Sequence, residues 1–273
     1  MQDKTIYVDT CVYGTGKMEK VPEYATTFGK RIGFEILAMF DLPDFEEKLK
    51  AQLPVFSQHK AAFHGPVFCV EHSAKRGTPA YEETMWHVRK TRDYARELHS
   101  RHFVMHLNNC EVAAGKKEEM LKNALENYQE LTEMFGAFDC PVYVENTGTI
   151  LQKNMLLDQG EFTDLCRSEG FEVLIDLGHA HANGWDIYRL IDDLAPQIRA
   201  YHLHNNDGSR DLHNRLHEGT MDFDRVFAHI LEKTPEADLV IEYTRQTQEG
   251  EGLYEDIREL IAYFPEDDNV KPE

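Results

Sequence analysis

Apolar and β-branched residues gather in eight short runs along the chain, each closing on polar residues. The runs are KTIYVDT from Lys4, GFEILAMF from Gly33, AAFHGPV from Ala61, HFVMHLNN from His102, PVYVENTG from Pro141, FEVLIDLGH from Phe171, IRAYHLHNN from Ile198 and ADLVIEYT from Ala237. Runs this short and this apolar are what strands buried on both faces present. Between them the spacing changes. Ala80–Ser100, Lys116–Phe138, Trp185–Gln197, Phe223–Lys233 and Leu253–Phe264 place apolar residues three and four apart with charges between, the pattern of amphipathic helices. The pattern over Pro22–Arg31 is less regular.

Strands that alternate with crossover helices run parallel, and eight of them close naturally into a barrel. The sequence therefore predicts an α/β protein, a single (β/α)8 TIM barrel over residues 1–273, with 266–273 as a frayed acidic tail. An open doubly wound sheet is the competing architecture. It calls for a glycine-rich turn after the first strand, and DTCVYGTGK has two glycines that do not form GxGxxG.

Composition narrows the function classes. Asp plus Glu number 49 against 29 Lys plus Arg, a net charge of −20, and such a surface repels phosphate backbones and anionic lipid. The five cysteines, Cys11, Cys69, Cys110, Cys140 and Cys166, are scattered and form no CxxC. That fits a reducing compartment and argues against a structural thiolate zinc site. The N-terminal residues MQDKTIYVDT carry no apolar core of a leader, and no run is long enough to cross a membrane, so a cytoplasmic location is expected.

In a parallel barrel every strand delivers its C-terminal end to one rim. Here those ends carry His64, His106, Glu145, Asp176 with His179 just beyond, His202 and His204, and Glu242; the loop after the seventh strand adds Asp211 and His213. Crowded carboxylates call for a cation, and mixed oxygen and imidazole donors suit zinc or manganese. Each residue has a plainer reading. Any one histidine serves as a core residue; Glu145 would pair with Arg245; Asp176 would cap the loop after it. Coincidence at six strand ends favours one metal site over six separate explanations. His202 and His204 share a face by alternation, so pattern alone does not choose between them. His59, His72, His87, His99, His102 and His229 are expected at the surface, and His181 has no assigned role.

At these residues the chain resembles the xylose-isomerase-like TIM-barrel superfamily of sugar isomerases and epimerases, inosose dehydratases and apurinic endonucleases. The matching motifs are YVENTG at Tyr143–Gly148, IDLGHAH at Ile175–His181, HLHNNDG at His202–Gly208, DLHNRLHEGTMDF at Asp211–Phe223 and VIEYT at Val240–Thr244. The resemblance implies a divalent ion held by Glu145, Asp176, His202 and Glu242. The seventh-strand motif of the family reads His-x-x-Asp, and Asn205 stands where that Asp is expected. A shifted alignment, His204 to Asp207, keeps the Asp and makes His204 the ligand. The endonuclease branch holds three zinc ions, and His64, His106, His179, Asp211 and His213 match its further ligands. Leu212 and His217 depart from its Asp-Arg-His-x-x-x-Gly-x-Gly pattern.

The resemblance thus implies one ion, or up to three. The expected activity is isomerisation or epimerisation of a sugar, sugar phosphate or polyol, with Glu145 and Glu242 passing a proton and His179 orienting a hydroxyl. Asn108 and Arg245 are expected substrate contacts, and Arg210, Arg215 or Arg245 would anchor a phosphate. The expected partner is a small carbohydrate; nucleic acid and membrane are not expected. The alternatives are a zinc phosphodiesterase acting on abasic DNA, an inosose-dehydratase-like lyase, and a barrel that binds without catalysis.

Overall fold

The computed structural model describes residues 4–10, 14–244 and 251–264. Eight parallel strands close into a barrel in sequence order, β1 (Ile6–Asp9), β2 (Ile32–Leu37), β3 (Ala61–His64), β4 (Phe103–His106), β5 (Val142–Glu145), β6 (Glu172–Asp176), β7 (Ile198–Leu203) and β8 (Asp238–Ile241). Closure is the pairing of β8 with β1, Leu239 opposite Ile6 and Ile241 opposite Val8. Seven strands lie within their apolar runs, and β2 begins one residue before its run.

Helices cover the outside: α1 (Val21–Phe28), α2 (Phe45–Phe56), α3 (Pro79–Glu97), α4 (Lys117–Gly136), α5 (Gln159–Glu169), α6 (Leu177–Ala182), α7 (Ile187–Leu194), α8 (Phe223–Lys233) and α9 (Gly252–Ala262). Periodicity predicts six of these, with ends displaced by a few residues where the last turn frays. It misses α2, α5 and α6. Pro54 near the end of α2 reads as a breaker, α5 has few apolar residues, and α6 hides inside the polar end of a strand run. No described helix is long and apolar enough to cross a membrane. The expected acidic tail from 266 lies outside the described residues, as does Arg245.

Alternation puts every second strand residue inside the barrel. Two small apolar groups fill part of that interior: Tyr7, Ala62 and Val240, and Val104, Tyr143, Leu174 and Ala200. Between the rings of Tyr7 and Tyr143 sits His102, edge-on to the first and stacked on the second. His72, His87 and His102 are buried, contrary to the surface placement expected from sequence; His99 is exposed. Their flanking residues look polar, but His102 leads into the inward face of β4, His72 turns in to bond the Pro66 carbonyl, and His87 lies among the buried residues of α3.

Candidate metal centre at the barrel rim

The strand ends bring together all nine of the expected rim ligands and the second candidate on β7. Glu145 is the hub. Its Oε2 lies 3.2 Å from the Nε2 atoms of both His64 and His106, and those two nitrogens lie 3.2 Å from each other. Its Oε1 lies 3.1 Å from His179 Nδ1. His202 Nδ1 faces three carboxylates at once, Glu242 at 3.4 Å and Glu145 and Asp176 at 3.6 Å. A third cluster joins Asp211 to His179 Nε2 at 3.3 Å and to His213 Nε2 at 3.2 Å.

His202 and His204 both point inward, as alternation allows. His204 Nε2 lies 3.0 Å from Asp176 Oδ2 but 4.0 Å from Asp211 and Glu242. Its ring stacks on His213 with centroids 3.9 Å apart. Gly178 makes room for it, since a Cβ there would run into the His204 imidazole.

Local structure explains how these side chains are held. Asn146, next to Glu145, donates to the Asp176 carbonyl and accepts from the Asp176 N–H, so β5 fixes the end of β6. Asp176 then caps α6, its Oδ1 accepting from the His179 N–H at 2.6 Å. After β7 the chain folds back, and an antiparallel bridge between Asn205 and Asn214 presses Asp211 and His213 onto the rim. His213 adopts a left-handed backbone, φ 48°, a conformation uncommon outside glycine. Asn205 stands where the family has Asp, and the structure uses its amide. It donates to the carbonyls of Leu216 and Met221, which a carboxylate cannot do.

The donor set fits a metal. Four histidines spend one ring nitrogen on an acceptor and turn the other into the cluster: His64 donates Nδ1–H to the Gly65 carbonyl, His106 to Asn109 Oδ1, His213 to the Glu242 carbonyl, and His202 donates Nε2–H to Glu35. Outer acceptors of this kind accompany metal-ligating imidazoles. The inward atom His202 Nδ1 is buried and makes no hydrogen bond, its nearest carboxylates lying 3.4–3.6 Å away, a costly state unless something binds it.

Electrostatics agree. Burial alone would raise the carboxyls of Glu145, Asp176 and Asp211, yet the histidines around them hold all three well below the usual range. Burial would lower the imidazoles of His179 and His202, but the carboxylates hold both well above the ordinary value. A cation in place of those protons would meet the same negative field.

Above the cluster lies a cavity of about 270 Å³. It is lined by apolar Leu37, Val67 and Phe68 and by polar Asn108, Asn109, Thr147, Gln152 and Asn154. Asn108 donates to the carbonyls of Cys110 and Asn154, and its buried Oδ1 is unpartnered. Of the cationic candidates, the two among the described residues are otherwise engaged. Arg215 makes two bonds to Asp256, and Arg210 folds onto Asp207 of its own loop. His181 bonds Thr220 and takes no part in the cluster. Sequence reasoning passed over Asn146 and Glu35; the signal for Glu35 was an acid alone on the inward face of an apolar run, GFEILAMF.

Comparison with solved structures gives matches across nearly the whole chain. A D-tagatose 3-epimerase-like protein superposes with a TM-score of 0.73 at 18% identity, covering 95% of this chain and 98% of its own. An AP endonuclease, family 2, from Brucella melitensis gives 0.69 at 16% identity, covering 92% and 96%. The IolI protein, solved with a binding zinc atom, gives 0.70 at 16% identity, covering 93% and 94%. Among curated proteins no sequence match is found. A family model, the xylose isomerase-like TIM barrel, matches residues 28–263. With that match spanning most of the barrel, the chain belongs to the xylose isomerase-like TIM barrel family.

Proposed function

We propose that this chain is a divalent-metal-dependent isomerase or epimerase acting on a small neutral sugar or polyol. The observation that carries the reading is the environment of His202 Nδ1, a buried and unpartnered imidazole nitrogen ringed by Glu145, Asp176 and Glu242. These four residues would hold the ion, zinc or manganese; a zinc atom in the similar IolI structure supports the choice. When bound, the ion supplies Lewis-acid stabilisation of the negative charge that develops on substrate oxygens as a carbon-bound proton leaves. Glu145 and Glu242 approach His202 Nδ1 at 3.6 and 3.4 Å. They would take the proton from carbon and return it, one as base and one as acid. His179 would orient a hydroxyl, and the amides of Asn108 and Asn154 would select for a polyhydroxylated chain while Phe68 covers its C–H face. A neutral substrate suits a rim whose described arginines already pair with Asp207 and Asp256.

A second reading has its own support. His64, His106 and Glu145 converge on one point, and Asp211 meets both His179 and His213 at another. A rim that holds three ions fits a phosphodiesterase; the net charge of −20 weighs against a nucleic-acid substrate.

One experiment separates them. Metal analysis of the purified protein, with proton exchange from deuterated water into candidate ketoses, should give one ion per chain and exchange. Glu242→Gln should slow that exchange by about 10²- to 10⁴-fold. Three ions per chain with cleavage of an abasic-site duplex would establish the second reading. A protein that takes up no divalent ion would overturn both.

A further inference from the structure

We propose that Glu35 is a positioning residue that decides how His202 meets the metal, by capturing Nε2–H and leaving Nδ1 as the ligand atom. The inference rests on the reading that the rim cluster holds an ion.

Glu35 lies in β2, a layer below the cluster, and is fully buried. Its backbone is fixed, because its carbonyl accepts from the Thr10 N–H at 3.0 Å. Its carboxylate takes two imidazoles, His202 Nε2 at 2.8 Å and His102 Nε2 at 2.9 Å. His102 is itself immobilised, 5.5 Å from the Tyr7 ring and 4.8 Å from the Tyr143 ring by centroids. The result is a column from the lower barrel to the rim: His102, Glu35, His202 and then the carboxylates around Nδ1.

Stability does not explain this column. Taking a carboxylate and two imidazoles out of water costs free energy that well-packed apolar side chains avoid. The neighbouring interior positions are apolar, Ala62, Val104, Leu174 and Val240. A purpose for the charge is visible in its contact with His202. An imidazole has two nitrogens on different sides of its ring, and binding one of them to a fixed acceptor aims the other.

His202 also differs from the other cluster histidines. His64, His106 and His213 donate Nδ1–H to neutral carbonyl or amide oxygens and present Nε2. Of these four, His202 alone presents Nδ1 and has a carboxylate as its outer acceptor. A charged acceptor raises the basicity of the ligating nitrogen more than a neutral one. Glu35 would thus make His202 the strongest imidazole donor at the rim.

The test is zinc affinity, measured by competition with a chromophoric chelator, on wild type, Glu35→Gln, His102→Gln and Asp176→Asn, with ¹⁵N–¹H spectra of the zinc-loaded wild type. Glu35→Gln should weaken zinc by about 10- to 100-fold. His102→Gln keeps the Glu35–His202 contact and should weaken it by less. The zinc-loaded wild type should show His202 ligated through Nδ1, with a low-field Nε2 proton. Unchanged zinc affinity in Glu35→Gln, or ligation of His202 through Nε2, overturns the inference and leaves the metal reading standing. Should Glu35→Gln fail to fold, the wild-type spectrum decides alone. A wild type that binds no zinc, or Asp176→Asn binding as tightly as wild type, overturns the metal reading and this inference with it.

Discussion

At Asp176 two roles that looked like alternatives turn out to be divided between two oxygens. Oδ1 caps α6, and Oδ2 turns to His204 at 3.0 Å and His202 at 3.6 Å. Asn205 shows a similar economy. Its Oδ1 accepts the Met221 N–H while its Nδ2 holds two carbonyls, and Gly219 is required beside it because a Cβ would meet that amide. His72 supports a prediction about pH. Its ring is buried and donates Nε2–H to the Pro66 carbonyl. Burial pushes its pKa down from 6.5 to about 4. Between those values the unfolded chain holds a proton that the folded chain refuses. The contribution of the neutral ring is therefore complete above pH 6.5 and shrinks as pH falls toward 4, by about 3 kcal/mol in all. Denaturant unfolding at pH 7 and pH 5 should show about 2 kcal/mol of this loss in wild type and a smaller one in His72→Gln; equal losses would refute it.

The elements differ in how plainly they announce themselves. Strands buried on both sides need continuous apolar runs, so all eight could be located, and the parallel topology placed their C-terminal ends at one rim. That is why His64, Glu145, Asp176, His202 and Glu242 could be gathered from sequence. Helix α5 could not be found this way, because its few apolar residues give no stripe. Its definition comes from its ends instead: Asp158 accepts from the Glu161 N–H, Glu161 reaches back to the Asp158 N–H, and Gly170 closes the helix in a left-handed conformation. Asp158→Ala should cost about 1 kcal/mol in urea unfolding, with the rim chemistry unchanged. Glu35 was hidden for a different reason. Its partners lie 67 and 167 residues away along the chain. A lone acid in an apolar run signals a buried charge but does not say which distant residues meet it.

Across the whole molecule the charge of −20 acts against compaction. Raising sodium chloride from about 10 to about 300 mM should stabilise the metal-free protein by about 1 kcal/mol, read from thermal unfolding, because screening relieves the repulsion. A flat or opposite salt response would mean that the surface carboxylates are already neutralised by local pairing. Closure of the barrel carries a consequence for biosynthesis. Glu242 follows β8, and β8 docks between β7 and β1. A nascent chain still lacking that strand already contains His64, Glu145, Asp176 and His202 but has no way to hold them in a ring. Metal capture must then wait until β8 has docked, and it would select for molecules whose first and last strands have found each other.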